Sequence, residues 1–475
     1  MATSVATLQG KTSIDAEALA ELRMVIRGEV LTPSDSGYAS VPAPYNAMYP
    51  GHPAVVVRAS GTADVMDAVK FARAHGLLLA IRSGGHSVAG LSSIDGGMLL
   101  DLSLMNGVTV DPDARLAVCQ GGARWGDVDR ETQAFGLVSP GGIVSDTGVA
   151  GLTLGGGEGW VRRKYGLACD NLVEAQIVTA DGAVLKASAT ENADLFWAIR
   201  GGGGNFGVVT SFTFNTHPHG PIVAFNGCFY SPDDIDAVLR GYVEFMTDAP
   251  DEVSALCVST TLPASEHMPP QVHNTPFIVV GGVYVGDPDE GLKVMQPMRE
   301  FATPLVDISG PIPFVGVQAA FDEFFQRGVL RSYWKSTYMR ELGDEALDVV
   351  GTTMVNRPSA RTLISLFSWG GQINRVGAED TANAERSAKF MFSVDGNWEN
   401  PSEDDKVISW VRERWALGHA LGTGSTYLNF TSVADDPTTV GVDDAFGRNL
   451  SRLREIKAKY DPDNFFRVNN NITPA

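Results

Sequence analysis

At residues 82–87 the chain reads "RSGGHS", with His86 directly after two glycines and between the apolar runs "GLLLAI" (76–81) and "GGMLLDL" (96–102). A turn with two glycines, such as Gly84-Gly85, can aim successive N–H groups into one anion-binding concavity suited to a pyrophosphate. His86 would then lie against the ligand; an ordinary polar turn residue is the alternative. Glycine-rich stretches recur at "CQGGARWG", "SPGGIVSDTGVAGLTLGGGEGW" and "RGGGGNFGVVTSF", and the chain holds 52 glycines in all. Glycine costs backbone entropy, so this density implies close backbone approach or positive φ. A large flat ligand held by peptide groups accounts for it economically.

The elements that must position these turns can be read from periodicity. "AVVVRA", "GTADVMDAVKFARAHG" and "LLLAIRS" predict a strand, a helix beginning near Ser60 or Thr62 and closed by Gly76, and a second strand that delivers the histidine turn. Strands follow in "GMLLDLS", "GVTVDP" and "RLAVCQGG", then a helix in "WGDVDRETQAFG". "LVEAQIVTADGAVLKAS" predicts a hairpin turned at Asp181-Gly182, and "DLFWAIRGG" a short helix stopped by glycine. Beyond "HPHGP" the glycine clusters cease. Strands such as "PFIVVGGVYVG" and "RTLISLFSWGGQ" there alternate with amphipathic helices such as "DEGLKVMQPMREFA", and a last helix runs through "DAFGRNLSRLREIKAKY" until Asp461-Pro462.

Composition narrows the function. A chain of 475 residues, 44% apolar and 19% charged, is globular and long enough for two or three domains. A net charge of −20 speaks against a nucleic-acid partner, which would need concentrated Lys and Arg. No apolar run approaches the roughly 18 residues of a membrane span, and the first residues lack the basic and apolar regions of an export signal. Cys119, Cys169, Cys228 and Cys257 lie far apart without metal-ligand spacing, so buried free thiols and a cytoplasmic location are expected, with no metal. "GGGNFG" at 202–207 matches G-x-G-x-x-G, but a helix precedes it and a β-rich run follows, the reverse of a Rossmann site. No P-loop motif occurs.

Four motifs in order, "RSGGHSVAG", "GLTLGGGEGWVRRKYGLACDNL", "DLFWAIRGGGGNFGVVT" and "KYDPDNFFRVNNNI", resemble the berberine bridge enzyme-like FAD-linked oxidases of the vanillyl alcohol oxidase or PCMH-type superfamily. The resemblance runs from about residue 40 to the C-terminus. It implies a two-domain α+β fold: an FAD-binding domain over 1–220, a substrate domain of antiparallel sheet covered by helices over 221–440, and a C-terminal segment, 441–475, returning to the FAD domain. In that family the histidine of the R-S-G-G-H motif is bonded to the 8-methyl carbon of FAD, a position held here by His86. Val144 stands where bicovalent members carry cysteine, so one covalent bond is expected, with a link through Cys169 a minor alternative. The resemblance further implies FAD contacts from Arg82, Ser83, Gly84, Gly85, Ser87, Thr147, Gly148, Gly151, Gly155, Gly156, Val209, Asn469 and Asn471, with Thr147 near the path of oxygen.

It also implies hydride removal from a C–H bond beside a hydroxyl or an amine, with O₂ becoming H₂O₂; a dehydrogenase with another acceptor, and a non-catalytic flavin module, are the alternatives. An alcohol needs a base for its hydroxyl proton, whereas a neutral amine does not. Relatives place the base at the tyrosine of a Y-x-N-[YF] motif, here Tyr427 in "STYLNFTS", beside Asn429. A phenol titrates near 10, so Tyr427 would need a neighbouring cation, for which Lys335 in "SYWKSTY" is the candidate. Gln372 and Trp334 are candidate walls of the substrate pocket, and packing is the alternative role for each of these side chains.

Overall fold

The computed structural model describes residues 3–7, 10–432 and 442–475 and is an α+β protein built on three main sheets. The first has four strands in the order Glu29–Leu31, Val55–Arg58, Met98–Asp101, Leu79–Arg82, the last three mutually parallel. Parallel strands are covered on both faces and read as continuous apolar runs, which is what "AVVVRA" and "GMLLDL" are. Helix Thr62–Ala74 turns Val65, Ala68, Val69 and Ala72 onto this sheet at helical spacing, and Gly76 ends the unit at φ +61°.

The second sheet is antiparallel, in the order Val184–Ser188, Leu172–Val178, Val208–Asn215, Leu116–Gln120, Val108–Asp111. Its first pair is the hairpin expected at Asp181-Gly182. The "GGGNFG" turn lies between helix Ala193–Ile199 and strand Val208–Asn215, so its amides do not open a helix.

A large antiparallel sheet begins at Ile222. Its order is Val306–Asp307, Ile222–Tyr230, Pro276–Tyr284, Val253–Thr261, Leu363–Ser368, Phe390–Trp398, Arg331–Met339, with Gly310–Pro313 also paired to Ile222–Tyr230. Helices Ile235–Asp248, Asp344–Val355 and Asp404–Ala420 cover one face, where Tyr242, Val350, Val407 and Val411 are buried. The opposite face carries Val258, Phe367 and Met391 toward the N-terminal half.

The chain then returns to its beginning. Helix Leu450–Tyr460 ends at Asp461, whose carboxylate accepts from the amides of Phe465 and Phe466 at 2.8 Å each. The fully buried Lys457 ammonium donates to Asp461 at 2.6 Å, to the Asn205 carbonyl at 2.7 Å and to the Phe466 carbonyl at 2.9 Å. Asn205 Oδ1 accepts from the Ile472 amide at 2.9 Å, so the tail is sewn to the glycine-rich turn at 202–207.

Two helical runs are shorter than expected. "DEGLKVMQPMREFA" is helical only over Pro288–Val294 and continues as the tight turn Gln296–Arg299, because Pro297 cannot donate to the helix ladder. "DAFGRNLSRLREIKAKY" splits at Gly447, which takes φ +47°. No helix among the described residues is long and apolar enough to cross a membrane.

Candidate active site

Between the first two sheets and the inward face of the large sheet lies an elongated cavity with about 2070 Å³ of unfilled space, its mouth included. Its N-terminal wall is the histidine turn, Ser83 to Ser87, together with Thr147, Gly148, Gly151, Gly155 and Val209. The turn sits tightly against its neighbour: a methyl on Gly84 would lie 2.3 Å from the backbone of Gly148, and Gly85 needs φ +68°. Gly151 and Gly204 have open space where a side chain would stand, and both face the cavity. The glycines thus bring peptide groups to the wall rather than relieving turns alone.

Polar atoms on this wall await a partner. Ser83 Oγ, Ser92 Oγ and Asn469 Oδ1 are buried, line the cavity and have no hydrogen-bond partner. Native structures rarely leave such atoms unpaired. With the amide-lined turns they suit an extended polar ligand, and the fit to FAD is good on donors, acceptors and space.

His86 stands at the centre of a charged clamp. Its Nε2 lies 3.2 Å from Asp146 Oδ2, and its ring stacks on Tyr45 with centroids 4.7 Å apart. Asp146 is held in turn by Arg124 at 2.5 Å and by Arg327 at 2.5 Å, and Arg327 also donates to the Asp146 carbonyl at 3.0 Å. Burial, only partly opposed by the Asp146 hydrogen bond, lowers the histidine pKa, so the ring is neutral at pH 7. The two arginines help hold the Asp146 carboxyl below its usual range.

The large sheet supplies most of the other wall, which is largely apolar and aromatic: Leu256, Val258, Leu363, Phe367 and Trp334, with Ser365 among them, joined by Phe430 from the turn Leu428–Phe430 and by Phe321 and Phe325 from the segment that precedes Arg327. One carboxyl interrupts it. Asp395, 3% exposed, sits on strand Phe390–Trp398 beside Trp334 and Leu363 of the neighbouring strands. Ser393 donates to it at 2.5 Å, yet burial pushes its pKa up to about 8. Glu158 also lines the cavity and is raised by burial, but Arg162 stands 3.3 Å away and opposes the shift.

The expected site residues divide. Ser83, Gly84, Gly85, His86, Ser87, Thr147, Gly148, Gly151, Gly155, Val209, Asn469, Asn429 and Trp334 line the cavity. Arg82 does not: its buried guanidinium donates to the carbonyls of Ser92 and Pro42 and braces the turn from behind. Gly156 faces Asn383 and Tyr427, Asn471 lies off the lining, and so does Gln372, which opens the short helix Gln372–Arg375. Cys169 is buried away from the cavity with its pKa raised by burial, which suits a packed thiol.

Tyr427 and Lys335 are not brought together. Successive residues of a strand point to opposite faces. Trp334 therefore faces the cavity, while Lys335 lies over the Trp415 ring at 4.0 Å on the helix-covered face. There burial lowers the lysine pKa to about 7. The Tyr427 hydroxyl accepts from the amides of Gly157 at 3.0 Å and Glu158 at 3.2 Å and from Asn429 at 3.0 Å, behind the cavity wall. Burial first, then the charge of Glu158, raise its pKa, so it is a neutral phenol that holds the glycine belt in place. Among the described residues no cluster of His, Cys, Asp or Glu could hold a metal ion.

An amide-lined cradle faces a largely apolar wall with one carboxyl, and comparison with known proteins gives the class. Residues 53–188 match the family described as FAD binding domain, and residues 426–473 the family described as Berberine and berberine like. An FAD-linked oxidoreductase of Dictyostelium discoideum is 30% identical over 89% of this chain and 89% of its own length. Chitooligosaccharide oxidase of Gibberella zeae is 29% identical over 90% of this chain and 89% of its own. The structure of 6-hydroxy-D-nicotine oxidase from Arthrobacter nicotinovorans superposes with a TM-score of 0.83 at 26% identity, covering 95% of this chain and 98% of that one. The protein belongs to the berberine bridge enzyme-like FAD-linked oxidoreductases and has their PCMH-type fold.

Proposed function

We propose that the protein oxidises a small alcohol by two electrons, with FAD attached covalently at His86 as the hydride acceptor, O₂ as the terminal acceptor and H₂O₂ as the product. The observation that carries this reading is Asp395, a carboxyl with its pKa near 8 on a largely apolar cavity wall. FAD, when bound, supplies the site that takes the hydride. Ser83, Ser92 and Asn469 would offer it their unpaired oxygens, and the turns at Gly84-Gly85 and Gly148–Gly151 their close backbone.

Asp395 does the proton work. A base with a pKa near the working pH combines a useful ionised fraction with proton affinity. In its carboxylate form it accepts the substrate hydroxyl proton at a carboxylate oxygen, and Ser393 keeps donating to Oδ1. Phe367, Phe430 and Trp334 exclude water around that proton and hold the substrate's apolar part. The names of the two relatives give chitooligosaccharide and 6-hydroxy-D-nicotine as substrates, so the fold serves more than one chemistry. The four buried free cysteines support a reducing, cytoplasmic setting.

The test is anaerobic mixing of the yellow protein with panels of alcohols and of amines, followed by admission of air. Bleaching by alcohols, faster as pH rises toward 8, and recovery with stoichiometric peroxide would support the proposal. Bleaching by amines alone, with no dependence on Asp395, would replace it with an amine oxidase. No recovery in air would make the enzyme a dehydrogenase.

A further inference from the structure

The clamp around His86 is more elaborate than holding a turn requires. Three charged side chains, from different parts of the chain, converge on one imidazole: Asp146 touches Nε2, while Arg124 and Arg327 each touch Asp146. Tyr45 fixes the ring plane by stacking on it. Nε2 is therefore occupied, and no hydrogen-bond partner stands at Nδ1 among the described residues. His86 lines the cavity with its side chain 16% exposed, so the ring reaches it with one nitrogen engaged and the other open.

We infer that Asp146 is the positioning residue for covalent flavin attachment, selecting the Nε2–H tautomer of His86 so that the Nδ1 lone pair meets the 8-methyl carbon. This rests on the proposal that His86 carries the flavin. Attachment breaks one C–H bond of the methyl group and one imidazole N–H bond and forms one C–N bond. The two electrons and two protons released reduce the flavin ring, and O₂ then takes them to give H₂O₂. Alkylation at Nδ1 leaves the ring cationic until the Nε2 proton departs. Asp146 is placed to accept that proton, and Arg124 and Arg327 keep it ionised beforehand. Both arginines carry their charge toward the same carboxylate, so neither competes for the imidazole. Arg327 adds a link to the substrate half, because it follows the segment that brings Phe321 and Phe325 to the cavity.

The experiment reads covalent flavin, not turnover. Wild type, Asp146→Asn, Asp146→Glu and Arg124→Gln are prepared free of flavin and mixed with FAD in air. Samples are precipitated with acid over time, and flavin retained on the pellet is counted per chain beside flavin released to the supernatant. Asn keeps the shape of Asp but cannot accept the proton. Asp146→Asn is expected to bind FAD stoichiometrically but attach it at least tenfold more slowly, Asp146→Glu to recover part of the rate, and Arg124→Gln to fall between. NMR of the isolated flavin peptide is expected to show the bond at Nδ1. Attachment by Asp146→Asn at the wild-type rate, or a bond at Nε2, would overturn the role of Asp146 and leave the linkage standing. Wild type releasing all its flavin would overturn the linkage and this inference together. If Asp146→Asn fails to bind FAD, Arg124→Gln decides: slowed attachment with FAD bound supports the role, and an unchanged rate removes it.

Discussion

Replacing Asp395 by asparagine should slow the enzyme and stabilise it, and both effects follow from one buried carboxyl. In the folded protein its pKa is about 8, against about 3.9 in an unfolded chain. Between these values the folded state keeps a proton that the unfolded state has lost. Stability therefore falls as pH rises from about 4 to about 8. At about 1.4 kcal/mol per pH unit, the loss between pH 5 and pH 8 reaches at most roughly 3 to 4 kcal/mol. Asparagine does not titrate, and its carbonyl oxygen can still accept from Ser393, which bonds Oδ1 now. The variant's advantage in melting temperature should thus be small at pH 5 and grow through pH 8. Over the same range its kcat/KM should be lower by 10² to 10⁴, the usual contribution of a general base, and should lose the limb that rises toward pH 8 in the wild type. Thermal unfolding of the flavin-loaded proteins at pH 5, 6.5 and 8, with steady-state kinetics on the same samples, gives both quantities. Parallel stability profiles for the two proteins would show that Asp395 is ionised in the folded state, and the base assignment would go with it.

Three further substitutions probe the frame around that site. Tyr427→Phe leaves the amides of Gly157 and Glu158 without their acceptor, at about 1–3 kcal/mol for each buried donor. It should lower the melting temperature and weaken FAD retention while the rising pH limb persists; loss of that limb would return the base role to tyrosine. Lys335→Met should leave kcat/KM within about twofold, given general acid–base effects of 10² or more. Because the lysine pKa is lowered to about 7 in the fold, it makes the wild type gain stability as pH rises from about 7 to about 10, where an unfolded lysine titrates. The methionine variant should lack that gain in unfolding scans. Gly84→Ala puts a methyl 2.3 Å from the Gly148 backbone, which cannot swing aside as a side chain could, so the protein should purify without visible flavin absorbance.

The histidine turn is legible in the sequence because its residues are consecutive and its glycines have few other uses. The βαβ unit that delivers it follows from apolar runs of strand length around one amphipathic helix. What stayed hidden depends on contacts distant in sequence. Arg82 in "RSGGHS" is expected among the FAD contacts, but it is spent on the carbonyls of Pro42 and Ser92. Tyr427 reads as a base until its hydroxyl is seen to serve two amides of the glycine belt, some 270 residues earlier. Lys335 and Trp334 were separable by strand alternation alone, since adjacent strand residues cannot both face one pocket. Asp395 also left a trace. It is a lone carboxylate inside the apolar run "FMFSVDGNW", and an isolated charge in a buried strand implies either a partner or a shifted pKa. Asp146, in "VSDTG", carried no such mark, because only the folded chain brings Arg124 and Arg327 to it.

The return of the tail bears on how the protein is made. Phe466, Val468, Asn469 and Asn470 are part of the cavity wall, and they are fastened through Lys457, Asp461 and Asn205. During synthesis the N-terminal strands leave the ribosome hundreds of residues before this wall exists, and N-terminal units fold first. The cradle at His86 must therefore wait, incomplete and open on one side, until residues 466–470 have emerged. Loading with FAD in this sense follows synthesis of the tail, and a nascent chain arrested before residue 466 would hold the histidine turn without the wall that closes over it.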